Sequence, residues 1–395
     1  MITPRVAAHA TRLPAGELPA YVYDLAALDE HARAVRAALP DGVELYYAAK
    51  ANPAPDILRA LAPHVSGYEV SSGGELAHVR EAVPGLPLAF GGPGKTEAEL
   101  RLALDLGVER FHVESEQELR LLAALAAERP GQDPVDVLLR VNLPVGDGDL
   151  GGAALAMGGR PSPFGLDPRR AEACLPLLRG TRLLLRGIHA HLASGLDAAA
   201  QLAVAARVTD WARDLDERHG LGLSEVNVGG GMAVDYGRPH LPFDWAAYGK
   251  GLAELAGRHP GYTLRIEPGR ALTVHAGWYL TEVLDLKHSH GEAFAVLRGG
   301  THHMRTPAAK GHDHPFTVLP VEEWDRPWPR PAALDEPVTL SGQLCTPKDT
   351  LAARVPVAEL RVGDRVAFTM AGAYAWNISH HEFLMHPAPT FHFLT

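Results

Sequence analysis

The sequence predicts an α/β protein: a (β/α)8 TIM barrel followed by a C-terminal, mainly β domain. Three observations carry this reading. From about Val43 to Gly269, short apolar runs alternate with amphipathic helical stretches. The runs number eight, the count that closes a parallel barrel. After Ala276 helical periodicity fades, and strand-like runs broken by Gly and Pro replace it. A doubly wound open sheet would show the same alternation and stands as the alternative.

The barrel strands are expected, in order, at Val43–Ala49, Gly67–Val70, Leu88–Phe90, Arg110–Val113, Val135–Asn142, Leu183–His191, Ser224–Val228 and Thr263–Ile266. Several are nearly all apolar, as strands covered on both faces should be. The helices between them carry start signals. Thr96 with Glu99 and Ser115 with Glu118 have capping-box spacing. Asp24 is placed to cap the helix that leads to the first strand. In the second domain strands are expected at Tyr279–Leu284, Ala293–Leu297, Thr317–Val321, Val338–Leu340, Ala353–Val357 and Arg365–Met370. Asp325–Pro337, with prolines at 327, 329, 331 and 337, reads as a loop. The expected division is a barrel over residues 26–275 and a β-rich domain made of residues 1–25 and 276–395. No internal repeat is visible.

Composition narrows the function. The chain has 395 residues, 46% apolar and 21% charged, ordinary for a globular protein. A formal net charge of −10 argues against nucleic acid, because phosphate binding needs a basic face. Two cysteines, Cys174 and Cys345, cannot build a disulfide framework and fit a reducing compartment. No apolar run approaches the ~20 residues of a membrane span, and the first residues lack the apolar core of a signal peptide. The expectation is a cytoplasmic enzyme acting on a small molecule, without a nucleic-acid or membrane partner.

In a (β/α)8 barrel the active site lies at the C-terminal ends of the strands. Here those ends carry Lys50, Glu69, Arg140, His189, His191, the run Gly229-Gly230-Gly231, and Glu267-Pro268-Gly269-Arg270. Each alone has a bland reading: a snorkelling surface lysine, a loop, a hydrogen-bonded core histidine. Their conjunction at matching strand ends is what counts. A lysine amine can form a Schiff base with the aldehyde of pyridoxal phosphate. Glycine amides and an arginine can hold its phosphate. An acid beside the pyridine nitrogen keeps that nitrogen protonated, and an aromatic such as His191 can stack on the ring.

The sequence resembles the fold-type III pyridoxal-phosphate decarboxylases, the family of diaminopimelate and ornithine decarboxylases. The stretches that carry the resemblance are Tyr47–Pro53, Gly67–Leu76, Gly91–Lys95, Gly187–Gly195, Val228–Gly231, Glu267–Arg270, Gly342–Cys345 and Gly372–Tyr374, spread from about Tyr21 to Pro387. The resemblance implies an alanine racemase-like barrel. It implies that Lys50 is the Schiff-base lysine and that His191 stacks on the cofactor. Ser194, Gly230, Gly231, Gly269, Arg270 and Tyr374 would hold the phosphate, and Glu267 would pair with the pyridine nitrogen. Glu69 stands where the family usually has Asp, near the lysine–cofactor linkage. Cys345 would protonate Cα in the partner subunit's site, which implies a head-to-tail homodimer. The bland reading of Cys345 is a packing thiol.

Departures from the family pattern bear on the substrate. Diaminopimelate enzymes have Glu after this cysteine and ornithine-type enzymes have Asp, each reading a distal ammonium. This chain has Thr346, with Asp349 nearby. A second oddity is the His-rich segment Gly299–Phe316, which contains His302, His303, Arg305 and Lys310. Its irregular spacing and lack of Cys pairs argue against a metal site, and none is expected. It reads either as a solvated loop or as a cationic wall for an extra substrate carboxylate. The segments around His302, Cys345 and Tyr374 resemble the siderophore-biosynthesis branch, which decarboxylates an amino acid joined to citrate or a similar polycarboxylate. On this reading His302, His303, Arg305, Thr346 and Asp349 bind substrate. The alternatives are a diaminopimelate- or ornithine-like decarboxylase and an enzyme for a carrier-bound aminoacyl group. A racemase would present Arg to the pyridine nitrogen, and Glu267 argues against that. A non-enzymatic pyridoxal-phosphate-binding barrel would lack the region after Ala276.

Overall fold

The apolar runs do not stay amphipathic because they are covered on both faces. Residues 68, 70, 88–90, 113, 137–139, 226, 264 and 266 are all buried. In the computed structural model, which describes residues 2–131, 133–144 and 155–395, these runs form a closed parallel barrel. Its strands are β1 (Val43–Ala48), β2 (Gly67–Val70), β3 (Leu88–Phe90), β4 (Arg110–Val113), β5 (Val135–Arg140), β6 (Leu183–His189), β7 (Glu225–Asn227) and β8 (Thr263–Ile266). Each pairs with the next, and β8 returns to β1 through Leu264 and Val43. Closure excludes the open-sheet alternative. The fifth, sixth and seventh ladders stop short of the expected runs, at Arg140, His189 and Asn227. There the chain leaves the ladder to build loops: Asn142 N, for example, donates to Leu166 O, 2.7 Å away.

The chain divides into two units, Asp29–Ala233 with Phe243–Leu272, and Met1–Leu28 with Val234–Pro242 and Thr273–Thr395. Residues 234–242 thus cluster with the β-rich unit, although they sit between barrel elements in sequence.

Helix starts follow local chemistry. Thr96 and Glu99 form a full capping box. Ser115 forms only half of one. Its Oγ accepts from Glu118 N at 3.1 Å, but the Glu118 carboxylate turns to Glu114 N at 3.0 Å and to Lys95 Nζ at 2.6 Å. Asp24 caps its helix through Ala27 N at 3.1 Å.

The N-terminal ends of the barrel strands carry a charged layer. Arg265, 1% exposed, donates to Glu44 at 2.5 and 2.8 Å and lies 3.2 Å from Glu225. Arg110 bonds Glu225 and donates to Asp136 at 2.9 Å. β6 approaches β7 so closely that a Cβ at Gly187 would sit 1.7 Å from Glu225 O, so only glycine fits there.

In the second unit the strands run in the order Phe316–Leu319, Arg365–Phe368, Gly277–Ser289, Glu292–Leu297, Ala332–Ser341 and Thr350–Arg361. Ala20–Asp24 adds to Gly277–Ser289 and pairs in parallel with Thr390–Leu394. Neither of these two strands was expected. Ala20–Asp24 is buried throughout, so no alternation marks it. The expected loop Asp325–Pro337 is corrected, because a strand begins at Ala332. Pro337 lies opposite Pro356 and outside the pairing with Glu292–Leu297, which starts at Val338, so its missing N–H breaks no ladder bond on that side. The N-terminal helix Pro4–Arg12, capped by Thr3, packs Val6 and Ala10 against Val22, Trp278 and Leu280.

Two histidines lie inside this unit. His303 Nδ1 accepts from Tyr279 Oη at 2.9 Å while its Nε2 donates to Pro387 O at 3.0 Å. Burial and the neighbouring His302 hold its pKa down at about 3. His302 is fully buried, neither nitrogen has a partner among the described residues, and burial lowers its pKa to about 4. Among the described residues no helix is long and apolar enough to cross a membrane.

Two predictions follow from these contacts. Glu225→Ala leaves Arg110 and Arg265 without their shared carboxylate, and urea unfolding should show a loss of about 3–5 kcal/mol. His302 and His303 stay neutral when folded but titrate near 6.5 when unfolded. Their contribution is complete above that value and is lost as pH falls toward about 4 and about 3. Unfolding free energy should drop by about 1.4 kcal/mol per pH unit for each. Urea titrations on either side of pH 6.5 should show a shallower slope in His302→Leu.

Candidate active site

The C-terminal ends of the strands bring the polar residues together. Lys50 sits in the turn Ala49–Ala51 after β1, its side chain about half exposed. Its Nζ lies 2.6 Å from Glu69 Oε2 at the end of β2. The other oxygen of Glu69, itself 5% exposed, accepts from Ser71 Oγ at 2.9 Å. Glutamate thus reaches the lysine directly, with its carboxylate oriented from the far side.

On the next strands a buried scaffold supports the site. Lys95 is sequestered, donating to Glu118 at 2.6 Å and to the carbonyls of Gly92 and His112 at 2.8 Å each. It therefore fixes the loop after β3 to the body of β4. Arg140, at the end of β5, pairs with buried Glu114 at 2.6 Å. Glu114 also accepts from Gly92 N at 2.8 Å and Gly165 N at 3.1 Å, tying three loops to one carboxylate.

Glu267 follows β8, which pairs with β1, so the Glu267 and Lys50 strand ends are neighbours in the barrel. The Glu267 carboxylate is buried and has one donor on each oxygen. His189 Nε2 lies 3.2 Å from Oε2, and Asn227 Nδ2 donates to Oε1 at 2.7 Å. His112 lies face to face with His189, centroids 4.1 Å apart and planes at 12°. His112, His189 and Glu267 offer three ligand-type atoms within 4.8 Å of one another. The two imidazole planes are nearly parallel and offset by the stacking distance, so their in-plane lone pairs lie in separate planes and are poorly placed to meet at one ion.

His191 is half-buried, and its Nδ1 accepts from Gly230 N at 3.2 Å. Burial, with the charges of Arg140 and Lys50, lowers its pKa to about 3, so it presents a neutral ring. Around it three strand-end loops touch backbone to backbone. A Cβ at Gly230 would lie 2.2 Å from Glu267 O, and one at Gly231, where φ is +103°, would lie 2.1 Å from Ala193 O. Gly195 N donates to Gly231 O at 2.7 Å. Ser194, Gly230, Gly231 and Gly269 are thereby held in one cluster, with Arg270 next in the chain. Gly230 gives its N–H to His191, whereas the amides of Gly231 and Gly269 have no acceptor among the described residues. Unclaimed glycine amides at a half-buried turn suit an anion. A pyridoxal phosphate therefore fits this end of the barrel: an amine at Lys50, a flat neutral ring at His191, an acid at Glu267 and an amide cradle.

The remaining expected residues belong to the other unit. Tyr374 has φ of 49°, and its carbonyl accepts from Thr306 Oγ. Cys345 is exposed, as is Arg305. Two expectations need correction, one for Asp349 and one for the pair His302 and His303. Asp349 is 2% exposed, and its carboxylate is used by Thr301 N at 2.6 Å, Thr301 Oγ at 2.7 Å and Leu344 N at 2.8 Å. It staples the Cys345 segment to Gly299–Thr301 and is not open to a substrate. His302 and His303 are enclosed and neutral, so they form no cationic wall; burial discharges them. Thr346 is half-buried, and its Oγ is 3.4 Å from Lys348 N.

Sequence reasoning passed over His112, Glu114 and Asn227. The signal was available for two of them: His112 and Asn227 are polar residues inside otherwise apolar strand ends.

Comparison with known proteins places the chain in a family. Residues 25–274 match the model described as "Pyridoxal-dependent decarboxylase, pyridoxal binding domain". A Staphylococcus aureus protein, 2-[(L-alanin-3-ylcarbamoyl)methyl]-2-hydroxybutanedioate decarboxylase, is 38% identical over 95% of this chain and 94% of its own length. The L-glutamyl-[BtrI acyl-carrier protein] decarboxylase of Niallia circulans is 31% identical over 94% of this chain and 88% of its own. The structure of a Helicobacter pylori diaminopimelate decarboxylase mutant, complexed with L-lysine, superposes with a TM-score of 0.79 at 25% identity, covering 92% of this chain and 89% of that one. With an amine, an acid and an anion cradle gathered at the strand ends where the family places its coenzyme, this chain belongs to the pyridoxal-dependent decarboxylases.

Proposed function

We propose that this enzyme decarboxylates an amino acid already conjugated to citrate or a similar polycarboxylate, as a step in siderophore biosynthesis. The observation that carries this reading is the segment Cys345–Asp349. Its one carboxylate, Asp349, is spent on Thr301 and Leu344, and Thr346 supplies only a hydroxyl. A free diamino acid would bring a distal ammonium with no counter-charge there, and an uncompensated charge is costly to bury. Lys348 on this segment, and Arg305 four residues after Thr301, are exposed and positive. They suit a substrate rich in carboxylates. The Staphylococcus aureus relative, whose name describes a hydroxybutanedioate conjugate, supports the same reading.

Pyridoxal phosphate, when bound, would supply an aldehyde for the substrate amine and a ring that accepts the electron pair left on Cα as CO2 departs. The chain's own residues do the rest. Lys50 provides the amine that holds the aldehyde before substrate arrives, and Glu69 at 2.6 Å orients it and can take its proton. Glu267 holds a proton at the ring nitrogen. His191 presents a neutral face, so no second positive charge lies against the ring. Ser194, Gly231, Gly269, Arg270 and Tyr374 bind the phosphate. Cys345 of the partner subunit returns a proton to Cα in a head-to-tail homodimer.

Two measurements test this. CO2 release from a citryl–diamino acid conjugate should exceed that from free diaminopimelate, ornithine or lysine by about ten- to a hundredfold in kcat/KM per carboxylate bound. Faster turnover of free diaminopimelate or of a carrier-bound glutamyl group overturns the substrate. For the shared site, Lys50→Ala and Cys345→Ala should each be inactive, and their equimolar mixture should recover about a quarter of wild-type activity after subunit exchange. No recovery overturns the head-to-tail arrangement.

A further inference from the structure

The Glu267 carboxylate is buried, and its two oxygens have different donors. A buried carboxylate left alone takes up a proton, because desolvation penalises the charged form; donors aimed at it favour the anion. We propose that His189 and Asn227 are positioning residues for the cofactor's ring nitrogen: acting through Glu267, they hold its carboxylate turned toward that nitrogen, with His112 bracing the His189 ring.

Three features separate this from ordinary core bonding. First, His189 Nδ1 has no partner among the described residues, so the ring's only hydrogen bond goes to Glu267. A neutral imidazole has one N–H, and here it belongs on Nε2. Burial and the Arg140 charge hold His189 neutral, so it donates without adding a positive charge that would compete for the carboxylate. Second, one face of that ring stacks on His112. His112 is fully buried, and neither of its nitrogens is bonded among the described residues. At 3.8 Å from Glu267 it does not bond the carboxylate. It leaves two polar atoms unpaired to supply a flat wall, a cost a purely structural position would shed by using an apolar ring. Third, Asn227 works in two directions. Its Nδ2 holds Glu267 while its Oδ1 accepts from the N–H of Gly229, the residue before the phosphate cradle, at 2.9 Å. One side chain thereby sets the spacing between the acid for the ring nitrogen and the turn for the phosphate.

The test is a chemical double-mutant cycle on full-length apoenzyme. The binding constants of pyridoxal phosphate and of its carbocyclic analogue, in which the ring nitrogen is replaced by C–H, are measured by absorbance and fluorescence. The variants are His189→Phe, His189→Gln and Asn227→Ser. Wild type should prefer the nitrogen-containing cofactor. His189→Phe should weaken that cofactor by about ten- to a hundredfold, the loss of one hydrogen bond to a charged group, and leave the analogue unchanged, so that the preference collapses. His189→Gln, which keeps an N–H donor, should restore most of it. If His189→Phe and Asn227→Ser weaken both cofactors equally, the residues are structural and the proposal is overturned. If either variant fails to load cofactor, His189→Gln decides: a preference equal to that of His189→Phe, or an unaltered preference in Asn227→Ser, also overturns it. None of these outcomes depends on which amino acid is decarboxylated.

Discussion

A carboxylate removed from water, at Glu267, is the constraint around which the barrel's open end is arranged. An anion in that position is stable only if donors reach it from fixed directions. β6 supplies His189 and β7 supplies Asn227, each as the last residue of its ladder. The same loops then turn back on one another through Gly230 and Gly231, where any side chain would meet a carbonyl. Acid and anion cradle are thus one construction. The distance between them is set by backbone packing at the glycines and by the Asn227 side chain, which bonds both Glu267 and Gly229 N.

The barrel separates its charges by purpose. Where the strands begin, Arg265, Arg110, Glu44, Glu225 and Asp136 neutralise one another and knit the staves together. Where the strands end, the charged and polar groups are only partly satisfied among themselves. Lys50 keeps about half of its side chain in solvent, and two glycine amides lack acceptors among the described residues. Charges buried against one another make a foundation, whereas a half-exposed amine and amides without acceptors among the described residues make a site.

In the β-rich unit a single buried aspartate does comparable work. Asp349 collects the backbone of Thr301 and Leu344, and it holds the turn that presents Cys345. Spending that carboxylate on the fold removes a negative charge that a diamino acid would need. In the same segment His302 and His303 are enclosed, whereas Arg305 is exposed.

The barrel and the composition of its mouth were legible in the sequence because both rest on local rules. Apolar runs of fixed length mark strands buried on two faces, and polar residues that end such runs mark the functional rim. Lys50, Glu69, His191 and Glu267 could be read that way, and the capping residues Thr96 and Asp24 could be read from spacing alone. What required the tertiary structure was the fate of polar side chains whose partners are distant in the chain. Asp349 looked like a ligand until Thr301, 48 positions away, was seen to occupy it. His302 and His303 looked cationic until the fold enclosed them. Strands Ala20–Asp24 and Thr390–Leu394 have little local signature, because they find their partners at opposite ends of the chain. Sequence determines which groups are present at each strand end; only packing decides which are charged, which are already satisfied, and which remain to bind something else.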